Sequence, residues 1–184
     1  FARPGLAALL VLPASLSAQT APRKPIRLVI ALAVDQLRSD YLDRFSRNFN
    51  GGFALLLRDG VFYANGLQDH GVTETAPGHA TMMSGRSPAS TGIIGNDVGV
   101  PDPGSPLLGS TATGASPWRF RGTTLADWMK VKDSATRVLS VSRKDRGAIL
   151  PVGRMVAPVY WFSQGKFTTS RFYADTLPTW LKAW

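Results

Sequence analysis

Cysteine is absent from the 184 residues, histidine occurs twice (His70 and His79) and glutamate once (Glu74). Without cysteine there is no disulfide framework, no thiolate zinc site and no cysteine nucleophile. Two histidines exclude a self-sufficient multi-histidine metal site within these residues. No apolar run approaches the roughly 20 residues needed to cross a bilayer. Several chemical signatures are missing too: the Gly-x-Ser-x-Gly elbow, a phosphate loop ending Gly-Lys-Ser/Thr, His-Glu-x-x-His and Gly-x-Gly-x-x-Gly.

What is present is enough apolar material for a core, 44% of residues, with 18% charged. That composition disfavours intrinsic disorder. The length fits one domain or part of a larger one. Twenty-one Lys and Arg against twelve acidic residues give a net charge of +9. A basic balance admits nucleic acid, a membrane surface or anionic small molecules as partners. The cations are scattered rather than blocked, which disfavours nucleic acid as a specific partner, and a phosphate-handling site fits the same excess.

Residues 1–18 carry Arg3, the apolar run Leu6–Leu12 and then small residues up to Ala18. This reads as a secretory signal peptide cleaved after Ala18, against the alternative of a buried N-terminal helix. Residues 19–25 read as a linker. The chain starts at Phe1 rather than methionine, and Leu177–Trp184 reads as a helix that has only begun, with Pro178 in its first turn. The expectation is a piece of a longer exported bacterial protein, periplasmic or secreted, with no stable membrane anchor.

Residues 26–34 form a near-continuous apolar run ending at Asp35, the pattern of a strand buried on both faces. Residues 38–48 and 52–58 read as helices, with Gly60 closing the second, and 61–64 as a short strand. Residues 77–83 read as a helix with Pro77 at its first position, so that Thr75 lies just before it. Residues 97–122, rich in Gly, Pro, Ser and Thr, read as a long surface loop. Thr123 or Thr124 is placed to cap a helix over 125–130. Residues 137–141 read as another buried strand, and 159–162 and 167–173 as strands of a hairpin turning at Gln164-Gly165-Lys166. Strands alternating with helices argue an α/β fold with a mostly parallel sheet flanked by helices, incomplete in this piece.

Four features carry candidate chemistry. Asp35 ends the first apolar run, at the sheet edge where ligands collect. It suits a divalent cation, or is a cap or surface carboxylate. Thr75, in Thr73-Glu74-Thr75-Ala76-Pro77-Gly78-His79, sits where a helix start offers unpaired N–H groups to phosphate; alone it is equally a cap. Asn96, in Gly92-Ile93-Ile94-Gly95-Asn96-Asp97, has an amide able to donate to an anionic oxygen, or is a turn asparagine. Lys144 and Arg146 follow the 137–141 run and suit phosphate, or are solvated surface charge.

Taken in order, these residues, with Ser84-Gly85-Arg86-Ser87-Pro88 and Ser142-Arg143-Lys144-Asp145-Arg146-Gly147-Ala148-Ile149, resemble the alkaline phosphatase superfamily. The branch resembled is that of type I phosphodiesterases and nucleotide pyrophosphatases, and within it the secreted phosphate monoesterases with a threonine nucleophile. The resemblance covers about residues 26–184, which would be the N-terminal part of such a catalytic domain. It implies that Thr75 is the nucleophile and a ligand of one zinc, that Asp35 binds the same zinc, and that Asn96, Lys144 and Arg146 hold phosphate oxygens. His79 belongs to the motif as a structural residue, and His70 has no implied role. Two Zn²⁺ are implied for the complete protein, but the family's downstream Asp and His ligands have no counterparts here. Two tetrahedral ions need about six to eight donors, so these residues alone are expected to be inactive. The stretch Val98-Gly99-Val100 also departs from the aromatic residues of the family, which bears on local substrate contacts.

The resemblance implies hydrolysis of a small-molecule phosphate monoester through a phosphothreonine. A phosphodiesterase or nucleotide pyrophosphatase would share Asp35, Thr75 and Asn96 without needing Lys144 and Arg146. A sulfatase is disfavoured, because that branch uses a modified cysteine or serine. A secreted basic protein that binds phosphate or nucleic acid without turnover is the rival from another class. Oligomeric state is not legible.

Overall fold

The computed structural model describes residues 25–183. The signal peptide over 1–18 and all but the last residue of the 19–25 linker lie outside the described residues. The chain divides into residues 1–32 and residues 33–184; the elements below all belong to the second unit.

The order is α1 (Asp40–Arg44), a 3₁₀ turn (Ser46–Asn48), α2 (Gly52–Asp59), α3 (Thr75–Ser84), α4 (Pro88–Thr91), α5 (Leu125–Lys132), β1 (Ser140–Ser142), α6 (Asp145–Ile149), β2 (Val159–Ser163), β3 (Lys166–Thr168) and a closing 3₁₀ turn (Leu181–Ala183). The strands form one sheet in the order β1-β2-β3, with β1 parallel and β3 antiparallel to β2. β1, α6 and β2 make a parallel βαβ unit in which Ser140 pairs with Val159 and Ser142 with Trp161. α6 packs on both strands and against α3. The core gathers Ile149, Leu150, Val159 and Trp161 from this unit, Ala76 and Ala80 from α3, and Ile93, Val100 and Phe120 from the loops.

Local signals translate directly into local structure. Thr124 caps α5 in a reciprocal box with Asp127, whose Oδ2 accepts the Thr124 N–H at 2.7 Å. Gln164 and Gly165 both have positive φ, 49° and 83°, as a two-residue hairpin turn of the primed type requires. α2 ends at Gly60 as read.

Other expectations are corrected. Residues 26–34 form no strand, and Ile26, Leu28, Ile30 and Leu32 are exposed. A strand buried on both faces needs a pairing neighbour and covering layers, and no strand pairing reaches this run among the described residues. Residues 61–64 likewise form no strand, with Val61 and Tyr63 exposed. β1 is shorter than the 137–141 run, and α6 covers the face that carries Ser140 and Ser142, so Val141 on the other face and Leu139 before the strand are exposed instead of buried. β3 stops at Thr168, before the expected Tyr173. The 177–184 helix start is only the 3₁₀ turn Leu181–Ala183. Pro77 is the third residue of α3, not its first; a first-turn N–H has no intrahelical acceptor, so proline costs nothing there.

The 97–122 segment is irregular, as composition suggests, yet it is not a surface loop throughout. Val100, Leu107, Ala115 and Phe120 are buried. Its polar backbone is satisfied internally around Asp102. Asp102 N–H donates to Gly114 O (2.8 Å), and the carboxylate accepts the Ser105 hydroxyl (2.8 Å), the Gly104 N–H (3.0 Å) and the Ser116 hydroxyl. The Ser116 hydroxyl, joined by Ser105, the Gly104 N–H and the Arg119 charge, outweighs burial and holds this carboxyl below the usual carboxylate range.

Asp102→Ala in the full-length protein is expected to cost about 2 kcal/mol, because charged hydrogen bonds are lost and their donors stranded. A folded pKa below the unfolded one contributes stability above about pH 4 that is lost as pH falls through the folded value. The gap between wild type and variant should therefore narrow on acidification. Urea midpoints of both proteins at pH 7 and at about pH 3 check this; equal midpoints at pH 7, or a gap that does not shrink at the lower pH, would contradict it.

Candidate active site

Three segments converge through the packing of α3 on α6. Thr75 is the first residue of α3, with Glu74 as its cap. Lys144 caps α6, immediately after β1. Asp35 precedes Gln36, whose φ of 61° is rare for a residue with a side chain.

The Thr75 hydroxyl makes no capping bond; it donates instead to Asp35 Oδ2 at 3.1 Å. Lys144 Nζ donates to the same oxygen at 3.3 Å. Asp35 and Lys144 are both substantially exposed, so an approaching molecule can reach them. Burial pushes the Asp35 carboxyl up, but the Thr75 hydroxyl and the Lys144 ammonium outweigh it and leave it below the usual carboxylate range. Thr75 O accepts from His79 Nδ1 at 2.8 Å. A carbonyl can only accept, so Nδ1 carries the proton. His79 is buried and ties down the first turn of α3, which matches its structural reading.

Asn96 joins the cluster through α3. Its Oδ1 accepts the Ala76 N–H at 2.9 Å. Because that backbone group is a donor, the amide orientation follows, and the Asn96 NH₂ is left with no acceptor among the described residues. An unpaired N–H donor is what an anionic oxygen needs.

Arg146 is set apart. Its guanidinium pairs with Asp145 at 3.3 Å, and its buried Nε has no partner among the described residues. Arg146 and Lys144 line a common cleft of about 410 Å³ with Arg143, Trp161 and Phe162. Of the five sequence-predicted residues, Asp35, Thr75 and Lys144 are in direct contact, Asn96 is one backbone group away, and Arg146 meets the cluster only through the cleft it shares with Lys144. His70 lies elsewhere, bonded to Gln68.

Two residues escaped the sequence reading. Glu74 Oε2 accepts the Asn96 N–H at 2.7 Å. Its only signals in the sequence were its rarity and its place before Thr75. Gly147 lets α6 lie close on β1, since a Cβ there would come 2.5 Å from the Ser142 hydroxyl.

The Thr75 hydroxyl and Asp35 Oδ2 lie 3.1 Å apart, close enough for one cation to take both as ligands. No group of three or more His, Cys, Asp or Glu side chains converges among the described residues. No described helix is long and apolar enough to cross a membrane.

Comparison with known proteins finds relatives along most of the chain. The chain is 37% identical over 171 residues to alkaline phosphatase PhoV of Synechococcus elongatus, covering 84% of this chain and 31% of that protein. It is 35% identical over 194 residues to alkaline phosphatase PafA of Elizabethkingia meningoseptica, covering 96% and 36%. The crystal structure of a PafA variant altered at one threonine, one asparagine, one lysine and one arginine superposes with a TM-score of 0.77 at 31% identity, covering 82% of this chain and 32% of that one. The chain thus spans about a third of the length of the relatives it matches. Residues 29–183 match the model of type I phosphodiesterase / nucleotide pyrophosphatase, and the chain belongs to that family of the alkaline phosphatase superfamily.

Proposed function

We propose that the complete protein hydrolyses phosphate monoesters, with Thr75 as nucleophile. The observation that carries this is the Thr75 hydroxyl: it sits at the start of α3, is not used as a cap, and is held by Asp35 beside the Lys144 ammonium. The alterations in the PafA variant support it. Its threonine and asparagine are 21 positions apart and its lysine and arginine two apart. Thr75 and Asn96 are also 21 apart, and Lys144 and Arg146 two.

In the proposed reaction Thr75 Oγ1 bonds to phosphorus as the ester P–O bond breaks in line. The hydroxyl loses its proton and the departing alcohol gains one. Water then cleaves the phosphothreonine and regenerates Thr75. Asp35 orients the threonine hydroxyl toward the substrate. The free NH₂ of Asn96 donates to one phosphoryl oxygen, and Lys144 and Arg146 take the others. Zinc is the proposed cofactor, held here by Asp35 and Thr75, and when bound it would lower the pKa of the nucleophile and neutralise charge on the reacting phosphate. The apolar stretch after Arg3 supports export to the periplasm or beyond.

The test is to compare kcat/KM of the full-length protein on a chromogenic phosphate monoester and on the matching diester. The monoester should be strongly preferred. A diester preference would assign phosphodiesterase activity instead.

A further inference from the structure

We propose that Glu74 is a positioning residue that aims the Asn96 amide at the phosphoryl oxygen, an inference that rests on the role proposed for Asn96 above. Two hydrogen bonds run in opposite senses between the start of α3 and the 95–99 turn. Glu74 Oε2 accepts the Asn96 backbone N–H, and Asn96 Oδ1 accepts the Ala76 backbone N–H. One bond alone leaves the asparagine free to pivot. The pair fixes both the backbone of Asn96 and the plane of its amide, so that the NH₂ projects in one direction. Gly99 closes the same contact: a Cβ there would lie 3.0 Å from Ala76 Cβ, so the turn is seated directly on the helix.

The Glu74 carboxylate makes no other side-chain hydrogen bond among the described residues, and Glu74 itself is exposed. Its removal therefore takes little from the core, while releasing the turn that carries Asn96. What matters is reach: the acceptor must extend past the cap of α3 to a backbone N–H on another segment. Glutamine keeps an acceptor oxygen at that reach without the charge. Aspartate keeps the charge and falls one methylene short.

The experiment is a kinetic double-mutant cycle in the full-length protein, read as kcat/KM on a chromogenic phosphate monoester, with the melting temperature of each variant recorded. Asn96→Ala should cost about 10²-fold, the usual loss of one aimed donor. Glu74→Ala should cost about tenfold, and less than about twofold once Asn96 is already alanine, as expected for residues that act through one another. Glu74→Gln should restore most of the rate and Glu74→Asp should not. That last pair carries the test even if Glu74→Ala fails to fold. An equal loss in both Asn96 backgrounds, or rescue by aspartate but not glutamine, would overturn the inference. If Thr75→Ala and Asn96→Ala are impaired while Glu74→Ala is not, only the positioning role falls. If Asn96→Ala is unimpaired, the assignment of Asn96 falls with it.

Discussion

Thr75→Ala in the full-length protein is expected to lower kcat for a phosphate monoester by about 10⁴-fold or more, the scale on which loss of a covalent nucleophile registers. The substitution removes the oxygen that would bond to phosphorus and one of the two oxygens that meet at the proposed metal position. The fold has little reason to respond. Thr75 is half-buried, its hydroxyl makes one side-chain bond, to Asp35, and in the variant the residue 75 carbonyl still accepts the hydrogen bond from His79 Nδ1–H. Alanine is also a better helix residue. A melting temperature close to wild type is therefore part of the expected result. Rates within tenfold of wild type would place the nucleophile elsewhere.

The second large effect separates substrates. A monoester carries one more negative charge than a diester, and Arg146, in the cleft it shares with Lys144, offers a second cation for it. Lys144 extends from the cap of α6 and Arg146 from its second residue, both lining the same cleft. Each charge-assisted contact contributes roughly 1.5–3 kcal/mol, or about one to two powers of ten in rate. Replacing both with alanine should slow monoester hydrolysis by about 10²–10⁴-fold and diester hydrolysis far less. In the structure Arg146 pairs with Asp145, so binding of the dianion must draw it away from that partner or share it. Equal losses on both substrates would make the pair structural.

The candidate site was legible as an ordered set of short signals, not as geometry. Asp35 and Thr75 are forty residues apart, and nothing in their spacing requires them to touch; they do so through the packing of separate segments. Where the determining interactions are local, the sequence carries them. Thr124 and Asp127 are three residues apart, and Gln164-Gly165 contains the whole of its turn. Where they are long-range, the sequence does not show them. The apolar run 26–34 becomes a strand only by pairing with another segment, and no pairing reaches it among the described residues. The loop around Asp102 looked like surface from its composition because its buried state depends on a carboxylate satisfying three separate donors. Glu74 is silent in the sequence for the same reason: its partner is a backbone N–H on another segment, and a backbone group leaves no trace in the side-chain pattern.

A threonine nucleophile requires a covalent phosphothreonine during turnover. The direct measurement is rapid acid quench of the full-length protein during turnover of a phosphate monoester, followed by peptide mass spectrometry. Phosphate should appear on the peptide containing Thr75, and be absent from that peptide in Thr75→Ala. Turnover with no covalent phosphate, or with phosphate on a different residue, would contradict it.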